Sequence, residues 1–284
     1  MLRPLPEADP HPRPQPRPHP RPQPRPCRRS RPVLAPPWSC RLKMIPADAG
    51  PTRSAMTATL RTHPARLSEL NPAAPGADQC RVCARSTPAG IPVCFCCRVV
   101  AEQLGLPLVP LVAQVEYRVG DRIHHRLRAY KDDPVLDVRA QCRGHLVDDL
   151  SRWMAVCGRL LDQRIGAWSV VTTVPSSCRP GPAPAELLVD GVPALASRHL
   201  RLLVRGPGSL AHLGADRTAF TLAPGVDRAG LAGLAVLVFD DTTTTGAAAQ
   251  SAAASLRLAG AQVVGALAIG RALTPDRPLH AVGT

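Results

Sequence analysis

Residues 233–270 read GLAVLVFDDTTTTGAAAQSAAASLRLAGAQVVGALAIG, and this stretch decides the fold class. Two near-continuous apolar runs, 233–239 and 261–270, flank an alanine-rich segment, 247–260, that ends at Gly260. Apolar runs of this kind are typical of strands buried on both faces, and the segment between them is typical of a helix. A strand–helix–strand unit predicts parallel pairing of the two strands and a right-handed crossover. The stretch therefore indicates an α/β protein.

Other segments of the chain extend this unit. Residues 167–175, AWSVVTTVP, are rich in β-branched side chains and stop at Pro175, which predicts another buried strand. Apolar residues recur at helical spacing over 148–166, and residues 121–131 predict a basic helix. Residues 191–206 predict a helix that runs into a short strand. Together these segments predict a parallel sheet flanked by helices.

Two carboxylates and four threonines follow the strand at 233–239, over Asp240–Gly246. In an open parallel sheet, ligands bind beyond the carboxyl ends of the strands. The backbone amides and dipole of a helix N-terminus favour an anion there, and threonine hydroxyls add hydrogen-bond donors. Carboxylates can accept hydrogen bonds from sugar hydroxyls or hold a divalent cation. The loop therefore suits a sugar phosphate.

Other interpretations of this loop are weaker. A plain turn in which Asp240 or Asp241 caps the helix needs one polar residue, whereas this loop has six in a row. A receiver-type acidic pocket places its acid pair at an early strand, not in the last strand–helix–strand unit. The sequence contains no G-x-x-x-x-G-K-[ST] phosphate loop.

The stretch VLVFDDTTTTGAA, 236–248, resembles the phosphoribosyl-pyrophosphate-binding motif of type I phosphoribosyltransferases. That motif has four apolar residues, two acids, two variable residues and then Thr-Thr/Ser-Gly. The resemblance implies that Asp240 and Asp241 contact the ribose hydroxyls and serve Mg²⁺, and that the loop after them binds the 5′-phosphate. The loop residues implied in ligand binding are Thr242, Thr243, Thr244, Thr245, Gly246 and Ala247. The sequence departs from the motif at Ala248, where the family usually has threonine or serine.

Four cysteines form two CxxC pairs, Cys80 with Cys83 and Cys94 with Cys97. Four thiolates at this spacing suit tetrahedral Zn²⁺, and the site is predicted to be structural because four thiolates leave no open position for water. A redox dithiol or unliganded buried cysteines are the alternatives. Cys96 falls inside the second pair and is predicted to be a bystander.

The order of a cysteine segment, residues 80–97, followed by a domain with this phosphoribosyl-pyrophosphate-binding motif is similar to the ComF/GntX-like family, the competence-protein-F relatives. The similarity covers roughly residues 80–271. LRAYKDDP (127–134) resembles the lysine segment of that family. VVTTVPSS (170–177) resembles its strand ending in Val-Pro, and ADRTAF (215–220) resembles its Arg-x-x-x-Phe segment. The loop and helix are especially similar to actinobacterial members, which often read Asp-Asp-Thr-x-Thr-Thr-Gly-Ala followed by Gln-Ser-Ala-Ala.

The resemblance implies further site residues. The loop that faces pyrophosphate would comprise Pro175, Ser176 and Ser177, with Arg179 as a catalytic residue beside Asp240 and Asp241. Lys131 is a second candidate for pyrophosphate, with a solvated surface role equally open. Where many members have Arg-Gly-Phe-Asn-Gln, this chain has RPGPAPAELL, 179–188.

The adjacent pair His124 and His125 offers a candidate acid or base, with a surface position as the alternative.

The N-terminal region differs from the rest in composition. Residues 1–55 hold 11 of the Lys and Arg residues, three acidic residues and 16 of the 33 prolines, and HPRPQPRP occurs at both 11–18 and 19–26. Such a tract is predicted to be disordered or polyproline-like. A nucleic-acid-binding arm, a solvated tail, and a true start at Met44 or Met56 are the three explanations left open. The other 229 residues are only mildly basic, which argues against a dedicated DNA-binding domain.

The sequence therefore predicts five regions and three possible functions. The regions are the tail (1–55), a linker (56–79), a zinc knuckle (80–97), a phosphoribosyltransferase-like domain (98–275) and a C-terminal tail (276–284). The first function is transfer of a phosphoribosyl group from 5-phosphoribosyl 1-pyrophosphate to a nitrogen acceptor with Mg²⁺. The second is non-catalytic binding of that ligand or a nucleotide, as in DNA uptake, and the third is zinc-ribbon nucleic-acid binding.

No apolar run is long enough for a membrane span and no secretory signal occurs, so a cytoplasmic location is predicted.

Overall fold

The structure is a computed structural model of the chain, and it describes residues 78–175, 182–210 and 214–273. Its first half contains α1 (Phe95–Leu104), β1 (Leu111–Tyr117), α2 (Arg122–Asp132), α3 (Leu136–Ile165), β2 (Val170–Thr173), α4 (Pro184–Gly191) and α5 (Pro193–Ala196). Its second half contains β3 (Leu203–Arg205), β4 (Phe220–Leu222), α6 (Arg228–Leu231), β5 (Ala235–Thr243), α7 (Ala247–Leu258) and β6 (Gln262–Ala272). The tail 1–55, the linker up to residue 77 and the C-terminal tail lie outside the described residues.

A four-stranded sheet forms the centre, in the order β1-β6-β5-β2, and every neighbouring pair is parallel. The β5–β6 pairing confirms the predicted parallel arrangement of the strand–helix–strand unit. Because all four strands run the same way, their carboxyl ends lie along one edge of the sheet. The chain is thus a mixed α/β protein whose parallel sheet is flanked by helices.

Strand β5 is buried on both faces, as its continuous apolar sequence predicts. Val236 and Val238 pack with the alanines of α7, the cysteine segment and the small antiparallel β3–β4 sheet. Leu237 and Phe239 pack on the opposite face with α2, α3 and α4. All four of these β5 side chains are fully buried. The cysteine segment therefore belongs to the same core as one face of the sheet.

Two helices differ from the sequence prediction in extent. The helix predicted over 148–166 ends where expected but begins earlier, at Leu136, two residues after Pro134. Its first turns are polar and expose Leu136, so they lack the apolar periodicity on which the prediction depended. Helix α1 runs across residues 97 and 98, so the predicted boundary between the knuckle and the domain falls inside a helix.

Strand β1 lies in an apolar stretch that Pro107 and Pro110 interrupt, where the sequence predicts no helix or strand. It follows Pro110 and pairs along its length with β6. The predicted helix-to-strand segment 191–206 is a four-residue helix, α5, followed by the three-residue strand β3. Among the described residues, no helix combines the length and the apolar character needed to cross a membrane.

Candidate functional site

The threonine loop lies where β5 ends and α7 begins, at the carboxyl edge of the sheet. Strand β5 continues through Asp240, Asp241 and Thr242 to Thr243, further than the predicted strand 233–239. The chain turns at Gly246, with φ of +83°, and α7 starts at the next residue. A Cβ atom at Gly246 would lie 2.9 Å from the Leu111 side chain, so both the backbone conformation and the space favour glycine.

A pocket of about 140 Å³ opens at this turn. We call it the loop pocket, and it is lined by Asp240, Thr242–Ala248, Leu210 and Gly214. The amides of the first α7 residues have no partner within the helix, and the helix dipole adds positive potential there. One of these amides, that of Ala247, donates a hydrogen bond to the Thr245 hydroxyl at 3.3 Å. The loop pocket thus combines anion-binding amides with one carboxylate, that of Asp240.

The two aspartates are held differently although they are adjacent. Successive side chains of a strand point to opposite faces, which separates the two carboxylates. Asp240 is partly exposed and lines the loop pocket, whereas Asp241 is 5% exposed and contacts helix α2. The structure therefore brings Asp240, but not Asp241, to the lining of the loop pocket.

Helix α2 supplies two partners to Asp241. The Tyr130 hydroxyl donates a hydrogen bond to its Oδ2, and Lys131 Nζ forms an ion pair with the same oxygen. Thr242 Oγ1 donates to the other oxygen at 3.3 Å, and Lys131 Nζ lies 3.5 Å from Thr242 Oγ1. Lys131 was a candidate from sequence. Tyr130 was missed, and its only signal is its place in the lysine segment LRAYK.

Burial dominates the titration of both carboxyl groups. Desolvation raises the pKa of Asp240 to about 6, with the charge of Lys131 opposing the rise. Desolvation raises the pKa of Asp241 to about 7, with hydrogen bonds from Thr242 opposing it. Carboxyl pKa values raised in this way are typical of functional sites, because stability alone would favour removing the charge.

The residues predicted to face pyrophosphate lie only partly among the described residues. Pro175 follows β2, and Thr173 of that strand lies beside Phe239 of β5, so the predicted loop starts next to the acid pair. Ser176, Ser177 and Arg179 lie outside the described residues.

Three side chains from the predicted basic helix and the ADRTAF segment do not line the loop pocket. His125 is exposed, whereas His124 stacks on Tyr117 with 5.9 Å between ring centroids. Arg217 Nε donates to the backbone carbonyl of Leu104, which is a structural contact between the loop before β4 and the end of α1.

The four predicted metal ligands lie together. Cys80, Cys83, Cys94 and Cys97 are buried, and their sulfur atoms all lie within 4.8 Å of one another. The sulfurs of Cys83 and Cys94 are 3.7 Å apart. Zinc–sulfur bonds of about 2.3 Å in a tetrahedron place neighbouring sulfurs about 3.8 Å apart. These four cysteines could hold a metal ion such as zinc, and Cys96 lies outside the group.

The pKa values of the cluster thiols depend on hydrogen bonds among the thiols and on a buried arginine. Hydrogen bonds from Cys83, Cys94 and Cys97 hold the pKa of Cys80 well below its usual value. The pKa of Cys83 is raised by its hydrogen bond to Cys80, and the positive charge of Arg271 opposes that rise. Arg271 is 4% exposed and donates to Glu116 at 3.3 Å. A cation therefore lies where a metal–thiolate cluster would need charge balance.

Arg85 connects the cysteine segment to the threonine loop. Its Nη2 donates to the backbone carbonyl of Thr244 at 3.3 Å and to that of Ala272 at 3.5 Å. The amide of Cys80 donates to the carbonyl of Arg85 at 2.8 Å, which fixes the start of this connection beside the cluster. The cysteine segment, residues 80–97, is thus joined by hydrogen bonds to the carboxyl edge of the sheet.

Comparisons with known proteins assign no family. The sequence matches no protein-family model, and no curated protein gives a significant match.

Proposed function

We propose that this chain is a ComF/GntX-like, type I phosphoribosyltransferase-like protein that binds 5-phosphoribosyl 1-pyrophosphate. The observation that carries the proposal is the loop pocket, where the Asp240 carboxylate and the helix N-terminus of α7 face the same space. A carboxylate beside a set of backbone amides matches a sugar phosphate, because the sugar hydroxyls need a hydrogen-bond acceptor and the phosphate needs hydrogen-bond donors.

Each part of the loop has a role in this proposal. The amides and hydroxyls of Thr243–Ala247 hold the 5′-phosphate, and Asp240 accepts hydrogen bonds from the ribose hydroxyls. Ala248 lines the pocket with a methyl group where the resembled motif usually has the hydroxyl of threonine or serine, so the phosphate has one donor fewer. Asp241 orients Lys131 and Tyr130 at the adjoining edge of the sheet.

The acid pair fits Mg²⁺ only in part. Asp240 is the better ligand, because Oδ2 of Asp241 already contacts an ammonium group and a hydroxyl. Mg²⁺ usually takes one or two carboxylates together with substrate phosphates and water. When bound with the diphosphate, the ion would neutralise the negative charge that grows on the leaving group.

In the proposed transfer, the lone pair of the acceptor nitrogen forms a bond to the anomeric carbon. The bond from that carbon to the diphosphate oxygen breaks, diphosphate leaves with the electron pair, and any proton on the acceptor nitrogen passes to water. The cation of Lys131 stands beside the acid pair and favours charge on departing diphosphate. Arg179 and the loop Pro175–Ser177 stay predicted diphosphate contacts.

Zn²⁺ bound by Cys80, Cys83, Cys94 and Cys97 has a structural role in this proposal. Four protein thiolates complete a tetrahedral site, and the cluster packs in the core beside β5 and α7. The metal would hold Arg85 against the threonine loop.

One observation favours the non-catalytic candidate, a binder of phosphoribosyl pyrophosphate or a nucleotide. In many members of the ComF/GntX-like family that the sequence resembles, the segment corresponding to 179–188 carries arginine and amide side chains. Here residues 184–191 form α4. The one ionisable side chain in the described part of the segment, 182–188, is Glu186, which caps that helix and pairs with Arg201. This part of the segment therefore offers no cation to diphosphate. Nucleic-acid binding through residues 1–55 or the cysteine segment stays a prediction.

Release of diphosphate separates the two candidates. The full chain is incubated with phosphoribosyl pyrophosphate, Mg²⁺ and a panel of nucleobases, ammonia and other amines, and diphosphate is measured enzymatically. The transferase proposal expects release that depends on one class of acceptor and is lost in Asp240→Asn. Tight binding of the ligand without release by any acceptor would leave the non-catalytic function.

A further inference from the structure

A second pocket lies next to the loop pocket, and the proposed function leaves its occupant open. It has a volume of about 420 Å³ and lies between α2 and the carboxyl ends of β1, β5 and β6. We call it the helix pocket, and its main lining residues are Tyr117, His124, Leu127, Arg128, Lys131 and Thr242. Thr242 lines both pockets, so their occupants would be neighbours.

One wall of the helix pocket is aromatic. The rings of Tyr117 and His124 stack, with 5.9 Å between centroids and 26° between planes. The amide of Gly120 donates to His124 Nδ1 at 3.1 Å and fixes that ring. A Cβ at Gly270 would lie 2.7 Å from the Tyr117 ring, so the absence of a side chain there makes room for tyrosine. A preformed aromatic wall favours a planar ring as ligand.

Three charged side chains of α2 also line the pocket, the cations Arg128 and Lys131 and the carboxylate of Asp132. Lys131 and Arg128 are three residues apart and lie on the same side of the helix. Arg128 is largely exposed, and its guanidinium lies 4.0 Å from the Asp132 carboxylate, so this ion pair is loose. Guanidinium groups bind carboxylates and phosphates through paired hydrogen bonds. The lining therefore suits a planar ring that carries an anionic substituent.

The acid pair lies close to this aromatic wall. Burial raises the pKa of Tyr117, and the charges of Asp241 and then Asp240 raise it further. Because Thr242 lines both pockets, a ring stacked in the helix pocket would lie near a ribose held at Asp240.

We propose that the helix pocket is the acceptor subsite and that the acceptor is a nitrogen heterocycle bearing a carboxylate. The assignment as an acceptor subsite rests on the proposed function, whereas recognition of an anionic planar ring rests on the pocket alone. Aromatic stacking would select the ring, and Arg128 would select the charged substituent.

The test compares two probes that differ in one carboxylate, orotate and uracil. Each is titrated into the full chain by calorimetry, alone and with ribose 5-phosphate present. We expect orotate to bind about tenfold or more tightly than uracil, as for a charge-assisted hydrogen bond. Arg128→Gln should remove most of this preference, and Arg122→Gln, an exposed arginine of the same helix outside the pocket, should keep it.

Several outcomes would overturn the inference. These are equal binding of the two probes, binding of neither, or a preference that Arg128→Gln leaves intact. Binding of inorganic diphosphate that depends on Arg128, without binding of orotate, would make this the leaving-group site instead. If orotate shows the expected preference while ribose 5-phosphate does not bind at all, the proposed function fails and the anionic-ring site stands.

Discussion

The guanidinium group of Arg85 donates a hydrogen bond to the backbone carbonyl of Thr244, which joins the cysteine segment to the threonine loop. The two residues are far apart in sequence, and the contact exists because the cysteine segment packs in the core beside β5 and α7. The same guanidinium also reaches Ala272 at the end of β6. A ligand that needs the loop in one conformation therefore depends on the cysteine segment.

Arg85→Gln is expected to weaken binding of ribose 5-phosphate about fivefold while the protein stays folded. Loss of one hydrogen bond costs about 1 kcal/mol, and here the cost falls on the loop conformation that binds. Calorimetry measures the affinity. Arg81→Gln, an exposed arginine of the same segment, is the matched control and should bind like the parent. Equal effects of the two substitutions would contradict a positioning role for Arg85.

Cys97→Ser is expected to lose bound zinc and to lower stability by about 3 kcal/mol or more, since a structural metal adds its binding free energy to folding. Metal content by mass spectrometry and urea unfolding measure the two effects. Cys96→Ser is the control, because Cys96 lies in the same segment outside the cluster. A parent protein purified without metal, and unaffected by added zinc, would argue for unliganded thiols.

Asp240→Asn is expected to stabilise the ligand-free protein above pH 7. The folded-state pKa of Asp240, about 6, exceeds its unfolded value of 3.8, so the folded protein binds the extra proton between these values. The contribution of Asp240 to the free energy of unfolding is therefore greatest at low pH and falls as the pH rises from about 4 to 6. At pH 8 the asparagine variant should be more stable than the parent by about 1–2 kcal/mol, with a smaller difference at pH 4.5.

Unfolding by urea at the two pH values measures this difference. A variant less stable than the parent at pH 8 would show that the carboxylate is retained for folding, not for a ligand. If Asp240→Asn is at least as stable as the parent, weaker ligand binding by this variant cannot result from unfolding.

Lys131→Gln is expected to destabilise the protein by about 1–2 kcal/mol, because it leaves the buried Asp241 carboxylate without its cation. Combining it with Asp241→Asn should recover part of the loss, which a double-mutant cycle in urea unfolding measures. Additive effects would mean that the ion pair contributes nothing measurable. Arg122→Gln provides the control for removing a positive charge from α2.

The sequence predicted the parallel β5–α7–β6 unit, because continuous apolar runs and a glycine-ended alanine helix are local patterns. The CxxC spacing likewise predicted the grouping of Cys80, Cys83, Cys94 and Cys97, which the structure confirms. Strand β1 was missed because it directly follows two closely spaced prolines, Pro107 and Pro110, in a stretch without clear periodicity. The early turns of α3 were missed because they are polar.

The surroundings of the acid pair could not be predicted from the sequence. The adjacent charges suggested that Asp240 and Asp241 face one ligand, but β5 extends through both and turns them to opposite faces. The contact of Asp241 with Tyr130 joins β5 to α2, and such contacts between distant segments depend on packing. No pattern in LRAYK alone identifies the partner of that tyrosine.

Calorimetric titration of the full chain with 5-phosphoribosyl 1-pyrophosphate and Mg²⁺ tests the central claim most directly. We predict binding at one site per chain, weakened about tenfold or more in Asp240→Asn, since a hydrogen bond to a charged group is lost. The doubly substituted protein, with Asp240→Asn and Asp241→Asn, should bind still more weakly. No binding by the parent, or the same affinity in all three proteins, would contradict a phosphoribosyl site at this loop.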